Sequence, residues 1–273
     1  MKNNSQQLCK ENLCGDTQLI FAKNDIELKK WLPQTDIIVT STRGVSRKMM
    51  ELAPYLRLIQ KLGTGVNNID WAAAGERGIY IGNDVGGNAL SVAEYAVMLM
   101  LATLRHITIA HNRLVMENRW EKSTLRDNCG ELTGKTVGIV GFGNIGRTTA
   151  RLLEGFRCNI LYYDPYPVGP NAMEGIQAER CNLDDICMRS DILSLHAPLT
   201  EQSRNMLDER RLKLMKDNAV LVNTGRGGLV DEAALCRELE KGRFLGVALD
   251  VHEHEPVLKD DPLKTFERVI FSP

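Results

Sequence analysis

Thr136-Val137-Gly138-Ile139-Val140-Gly141-Phe142-Gly143-Asn144-Ile145-Gly146 is the stretch whose reading decides the fold. A short, β-branched run enters G-x-G-x-x-G, and the residues behind it read as a helix with Ile145, Leu152, Leu153 and Phe156 on one face. Eighteen residues beyond the third glycine, a second apolar run, Ile160-Leu161-Tyr162-Tyr163, ends on Asp164. Strand, glycine turn, helix and distal acid are the parts of a dinucleotide-binding βαβ unit. Gly141 permits the tight turn, Gly143 lets backbone approach a pyrophosphate, and Gly146 lets helix and strand pack closely. A helix opening at Asn144 and Ile145 offers unpaired N–H groups and a positive dipole end to phosphates. Asp164 is placed to accept hydrogen bonds from the adenosine ribose and to repel a 2′-phosphate, favouring NAD over NADP. The bland alternative is a glycine-rich βα turn kept for packing alone.

Composition narrows the class. The 273 residues are enough for two domains with sizeable cores. A net charge of −1, with Lys and Arg scattered, gives no broad field for nucleic acid or an anionic membrane. The apolar run Tyr95 to Leu104 is too short to span a bilayer, and Met1 to Gln7 lacks the apolar core of a secretion signal. The seven cysteines, at 9, 14, 129, 158, 181, 187 and 236, are odd in number and include no C-x-x-C, which argues for reduced thiols in the cytoplasm. Pairing or metal binding by Cys9 and Cys14 lacks a second ligand pair nearby.

Along the chain, Leu19 to Ala22 reads as a short strand, Ile26 to Leu32 as a helix ended by Pro33, and Asp36 to Thr40 as a buried strand. Met49 to Pro54 reads as helix. Leu58 to Leu62 is a strand running into Gly63-Thr64-Gly65-Val66, and Ile79 to Asn83 closes a small βα domain. Gly63 and Gly65 at a strand end suit either a plain turn or backbone N–H groups offered to a carboxylate. Asn88 to about Glu117 reads as one long helix with a stripe of Val92, Tyr95, Ala96, Leu99, Met100, Thr103 and Ile107. His106 and His111, five apart, share no helical face and are expected at a surface or interface. Past Asp164 come a proline-marked loop, a helix over Leu183 to Met188, and strands Asp191 to Leu195, Ala219 to Asn223, Leu245 to Leu249 and Val269 to Phe271. Asp231 is expected to cap the helix that stops at Gly242. Alternating strands and helices imply parallel sheets. Gly141, Asp164, His196, Arg226, Asp250 and Glu255 each follow a strand's carboxyl end, the edge where open α/β sheets bind ligands.

With these residues in view, the chain resembles the D-isomer-specific 2-hydroxyacid dehydrogenase family. The resemblance is carried by Lys61-Leu62-Gly63-Thr64-Gly65-Val66, Ser91-Val92-Ala93-Glu94, the G-x-G-x-x-G with Asp164, His196-Ala197-Pro198-Leu199-Thr200, Asn223-Thr224-Gly225-Arg226-Gly227 and Leu249-Asp250-Val251-His252-Glu253-His254-Glu255-Pro256. It implies an α/β chain of two doubly wound parallel-sheet domains. A flavodoxin-like substrate domain would cover 1–87, and a Rossmann NAD-binding domain would cover 88–273, including the linking helix 88–117. It also implies hydride transfer between nicotinamide C4 and C2 of a 2-hydroxy or 2-keto acid. Arg226 would grip the substrate carboxylate, for which a planar guanidinium fork is suited, with backbone around Gly65 and Val66 taking the other oxygen. Asp250 would bind the carboxamide, and Thr224, His196 and Pro198 would line the cofactor. Glu255 would pair with a catalytic histidine and raise its pKa. The family commonly forms homodimers through the nucleotide domain and its long helix.

In the family that histidine follows a Ser-Pro pair after the last strand, and here Ser272-Pro273 closes the sequence. The expectation is a chain cut just before the histidine and short at its N-terminus, which binds cofactor but turns over poorly. Loss of a general acid typically costs about 10²–10⁴ in rate. His252, His254 and His106 are poor substitutes given the reach such an acid needs. The rival reading is an NAD(H)-sensing, corepressor-like interaction protein, which has no need of Arg226 and Glu255. An S-adenosylmethionine methyltransferase would leave the Thr-Gly-Arg-Gly segment unexplained. Phosphoglycerate enzymes of the family carry arginines near the strand corresponding to Asp36–Thr40. Here Thr40, Ser41 and Thr42 stand there with only Arg43 and Arg47 close, so a small unphosphorylated keto acid is expected. The His-Glu-His-Glu stretch at 252–255 gives no defined metal geometry, and no metal is expected.

Overall fold

The computed structural model describes residues 15 and 17–272. The Cys9 and Cys14 reading and the N-terminal leader reading lie outside them. The chain divides into two compact units, Met1–Val85 and Gly86–Pro273.

In the first unit, helix α1 (Asp25–Trp31) starts where the Asn24 side chain accepts the Glu27 N–H, and Pro33 sits in the 3-10 turn that ends it. Strands β1 (Ile37–Thr40), β2 (Leu58–Lys61) and β3 (Tyr80–Asn83) form a parallel sheet in that order, with Val39 opposite Gln60 and Gln60 opposite Gly82. Helices α2 (Arg47–Glu51) and α3 (Trp71–Glu76) contribute Met50, Ala73 and Ala74 to a core with Ile38 and Ile59. Two expectations change here. The strand at 37–40 is only half-buried: Ile38 and Thr40 face the core while Ile37 and Val39 are about half exposed, because the core helices lie on one side of the sheet. Leu19–Ala22 is not a strand: it joins no ladder, although β1 is paired on one side only, and none of its residues is buried.

In the second unit, seven parallel strands run in the order β10-β9-β8-β7-β4-β5-β6. They are β4 (Thr136–Val140), β5 (Asn159–Tyr163), β6 (Glu179–Arg180), β7 (Ile192–Leu195), β8 (Val220–Asn223), β9 (Gly246–Leu249) and β10 (Val269–Phe271). Strands β7, β8 and β9 are buried along their whole length, which explains why they read as continuous apolar runs rather than alternating ones. One face packs on Leu212, Leu235 and Leu239, the other on Leu99, Met100 and Leu153. The order reverses between β4 and β7, which is the switch point where doubly wound sheets open a crevice. The edge strand β6 was not foreseen: two exposed polar residues carry no periodic signal.

The expected helix over 88–117 is two helices, α4 (Ala89–Leu104) and α5 (Ile107–Glu117), bent by 61°. A turn from elsewhere in the chain takes over the break. Gly130 N–H donates to the Leu104 carbonyl (2.9 Å), which a continuing helix would have used for residue 108, and His106 Nε2 lies 3.0 Å from the Asn128 carbonyl. His106 sits at φ +48 in the left-handed region and is buried, not surface-exposed. The apolar stripe holds as far as Thr103 and fails at Ile107, which is more than half exposed.

Candidate active site

The turn between β4 and helix α6 (Asn144–Glu154) is fixed from three sides. Gly141 has φ +89 and donates its N–H to Tyr163 O at 2.8 Å; a Cβ there would come within 2.6 Å of Ala197 N. A Cβ on Gly146 would lie 2.2 Å from Gly141 O, so no side chain fits between helix and strand. Gly143 is different. Its φ is −73 and nothing in the chain lies within 4 Å of its would-be Cβ, so neither backbone nor packing demands glycine there. The space is open beside the start of α6, which no side chain caps, and Arg147 steadies the turn through Phe142 O (3.0 Å) and Asn144 Oδ1 (2.9 Å). Open room, first-turn N–H groups at Asn144 and Ile145 and a positive helix end fit a pyrophosphate.

Asp164 follows β5 and reaches back to the same turn: Oδ2 accepts the Phe142 N–H (2.8 Å) and Oδ1 accepts the Tyr166 N–H (2.9 Å). The acid is thereby oriented before any ligand arrives, and each oxygen keeps a lone pair for a hydroxyl.

Across the switch point, His196 leaves β7 with both ring nitrogens engaged. Nε2 lies 3.0 Å from Ser194 Oγ and Nδ1 lies 3.0 Å from Thr224 Oγ1, which is itself 3.4 Å from Leu195 O. Proton bookkeeping closes with Nδ1–H donating to Thr224 and Nε2 accepting from Ser194, a neutral imidazole. Burial pushes its pKa down to about 4, in keeping with that. Pro198 lies exposed just beyond.

Strand β8 ends on Asn223, nearly fully buried, whose side chain braces the next turn: Oδ1 accepts Gly225 N–H (3.1 Å) and Nδ2 donates to Arg226 O (3.0 Å). Arg226 therefore leaves the sheet on a fixed backbone, with Nη1 donating to Gly225 O at 2.6 Å. A Cβ on Gly227 would fall 1.9 Å from His252 C and 2.3 Å from Glu253 N. The loop carrying Arg226 and the loop carrying Glu255 thus pack backbone on backbone. Glu255 is exposed and its Oε1 accepts the His252 N–H at 3.1 Å.

After β9, Asp250 accepts the Ser272 hydroxyl through Oδ1 at 3.0 Å; burial raises its pKa and the Ser272 bond works against that rise. His252 stacks on Phe271 and its Nε2 lies 3.3 Å from Ser272 O. Gly141–Gly146, Asp164, His196, Pro198, Thr224, Arg226, Asp250 and Glu255 thus all follow the carboxyl ends of one parallel sheet. Gly65 and Val66 belong to the first unit, in the loop after β2, where Val66 O receives Ile69 N–H and Trp71 Nε1–H. Asn223, Ser194 and Ser272 were missed in the sequence. Their signal was faint: a polar residue within, ending or just past an otherwise apolar strand.

A family model described as D-isomer specific 2-hydroxyacid dehydrogenase, NAD binding domain, matches residues 97–273. The D-3-phosphoglycerate dehydrogenase of Archaeoglobus fulgidus is 37% identical over 248 residues, covering 90% of this chain and 46% of its own length. The chain spans about half the length of that relative and of a second archaeal D-3-phosphoglycerate dehydrogenase. The hydroxypyruvate reductase of Thermotoga maritima is 39% identical over 251 residues, covering 88% of this chain and 80% of the relative. Among solved structures, the NAD-dependent formate dehydrogenase from Staphylococcus aureus in complex with NAD superposes with a TM-score of 0.81 at 35% identity, over 93% of this chain and 76% of that one.

Proposed function

Because the chain belongs to the D-isomer-specific 2-hydroxyacid dehydrogenase family, we propose that it acts as an NAD-dependent oxidoreductase on the CH–OH group of small D-2-hydroxy acids, reducing the 2-keto acid in reverse. The observation that carries this reading is the shared edge: a pyrophosphate cradle, a ribose-facing acid, a rigidly held arginine and two further acids leave successive tips of one parallel sheet. When bound, NAD(H) supplies the hydride acceptor or donor.

The chain's own residues divide the remaining work. Gly143 to Gly146 hold the pyrophosphate through backbone N–H groups, and Asp164 takes the ribose hydroxyls. Asp250 takes the carboxamide, with Thr224, His196 and Pro198 beside it. Arg226 binds the substrate carboxylate and polarises the carbonyl. In the first unit, Gly65 and Val66 offer N–H groups to a carboxylate. Glu255 is the carboxylate that would pair with an imidazolium general acid, and none of the residues named at this edge supplies that acid. His196 is not that acid: both its nitrogens are already bonded and its pKa of about 4 leaves it neutral at pH 7.

A small, unphosphorylated acid is the proposed substrate. Arg43 is ion-paired with Asp25, and Arg47 makes a two-pronged pair with Glu76 at 2.6 and 2.9 Å, so the two arginines that follow β1 in sequence already have carboxylate partners, while the Lys61 ammonium donates to the Ser41 carbonyl at the end of β1. A homodimer is proposed through the apolar groove of about 610 Å³ lined by Val97, Met98, Leu101, Ile107, Leu152 and Phe156. The proposed compartment is the cytoplasm, suited to the free thiols at Cys129, Cys158, Cys181, Cys187 and Cys236. The test is binding of NADH followed by its consumption with glyoxylate, hydroxypyruvate and pyruvate. Saturable binding with only slow keto-acid-dependent oxidation is expected, because no general acid is identified at this edge; absence of NADH binding overturns the reading.

A further inference from the structure

The ribose end of the crevice holds a cation that the dehydrogenase reading leaves unused. Arg180, on the edge strand β6, donates Nη2–H to the main-chain carbonyl of Asp164 at 2.9 Å. It is exposed and, among the described residues, has no carboxylate partner. The adjacent acid is not available to it: Glu179 is gripped by both terminal nitrogens of Arg189, at 2.6 and 2.7 Å. The other nearby guanidinium, Arg147, is committed to Phe142 O and Asn144 Oδ1. A guanidinium carries five N–H donors in a rigid fork. The bond to the Asp164 carbonyl uses a single donor and pins the group beside Asp164, the residue assigned to the ribose hydroxyls.

We propose that Arg180 is a second determinant of coenzyme choice, a guanidinium held at the Asp164 carbonyl that meets the 2′-phosphate of NADP(H) and opposes the repulsion by the Asp164 carboxylate. The inference rests on the dinucleotide-binding reading above. Its chemistry is simple. Asp164 sets the preference for a free 2′-hydroxyl, since its oxygens accept O–H and repel phosphate oxygens. Arg180 works in the other direction, because a phosphate monoester dianion is its natural forked acceptor and a neutral hydroxyl is not. The two residues are coupled through one carbonyl, so the net preference is a difference between opposed terms. The chain therefore discriminates against NADPH less than Asp164 alone would require.

The experiment is a two-by-two set: the unmodified chain, Arg180→Met, Asp164→Asn and the double variant, each titrated with NADH and with NADPH by fluorescence of the reduced nicotinamide. The quantity read is the ratio of the two Kd values. Arg180→Met is expected to raise Kd(NADPH)/Kd(NADH) roughly three- to tenfold, the range of an exposed but charge-assisted contact. The effect should be larger in the Asp164→Asn background and should shrink at high salt. A ratio that stays within about 1.5-fold, with both Kd values moving together, overturns the proposal and leaves Arg180 as a structural tie. If Asp164→Asn does not fold, Arg180→Met in the unmodified chain still decides between these results. Failure to bind NADH at all would instead remove the dinucleotide reading, a distinct outcome visible in the first titration.

Discussion

At the scale of single residues, the crevice is built from side chains that hold backbone rather than ligand. Asn223 is the example. It meets no proposed substrate atom, yet it bonds the N–H of residue 225 and the carbonyl of residue 226, so the arginine departs from a fixed point. Asn223→Ala is expected to lower stability by about 1–3 kcal/mol, since two buried backbone groups lose their partners. It should also raise KM for the keto acid well beyond any change in Kd for NADH; steady-state kinetics with a parallel NADH titration checks this. His196 carries a pH signature. Its folded pKa of about 4 lies below the unfolded value of about 6.5. Between those values the unfolded chain binds the extra proton, so this contribution to stability is intact above about pH 6.5 and is lost as pH falls toward 4. The slope reaches at most about 1.4 kcal/mol per pH unit. Denaturant melts of the unmodified chain and His196→Gln at pH 7 and pH 5 should converge at the lower pH; parallel curves would exclude this origin.

Secondary-structure elements show where one glycine differs from the next. Gly146 is required by the chain itself, because a Cβ would strike the Gly141 carbonyl at 2.2 Å. Gly143 has empty space instead. Gly146→Ala should therefore cost about 1–3 kcal/mol and weaken NADH binding as well. Gly143→Ala should leave stability within about 0.5 kcal/mol while weakening NADH binding tenfold or more, as read by thermal melts and titration. A second contrast lies at the bend between α4 and α5. In a continuous helix, alanine at position 106 would be better than glycine by about 1 kcal/mol. With φ at +48 the order should reverse, so His106→Gly is expected to be more stable than His106→Ala by about 1 kcal/mol in denaturant melts. These cases also separate the legible from the illegible. The glycine turn, the Asp231 cap (which accepts Ala234 N–H at 2.9 Å) and the strand 269–271 depend on neighbours in sequence and were readable. The break at 105–106 depends on Asn128 and Gly130, which no window over 88–117 contains.

For the molecule as a whole, the paired state of Arg43 and Arg47 bears on substrate choice. A survey of KM values with hydroxypyruvate and its phosphorylated counterpart should show no preference for the phosphorylated acid; a preference above tenfold would reverse the assignment. The placement of these residues at one sheet edge was itself readable, since a residue following an apolar run in an α/β pattern must lie at a carboxyl edge if the sheet is parallel. Their mutual support was not. The carboxylate of residue 164 tied to the glycine turn, residue 272 tied to residue 250, and the backbone contact of residues 227 and 252 join segments 20 or more positions apart. By itself the amino-acid sequence determined the dinucleotide turn, the buried strands of the larger sheet, the Asp231 cap and the order of chemistry-bearing residues, because those follow from side-chain periodicity and local backbone sterics. Tertiary structure alone decided which polar groups are already satisfied, where the long helix bends and which arginine is held at the Asp164 carbonyl, because hydrogen bonds and ion pairs are allotted by distance in space rather than by position along the chain.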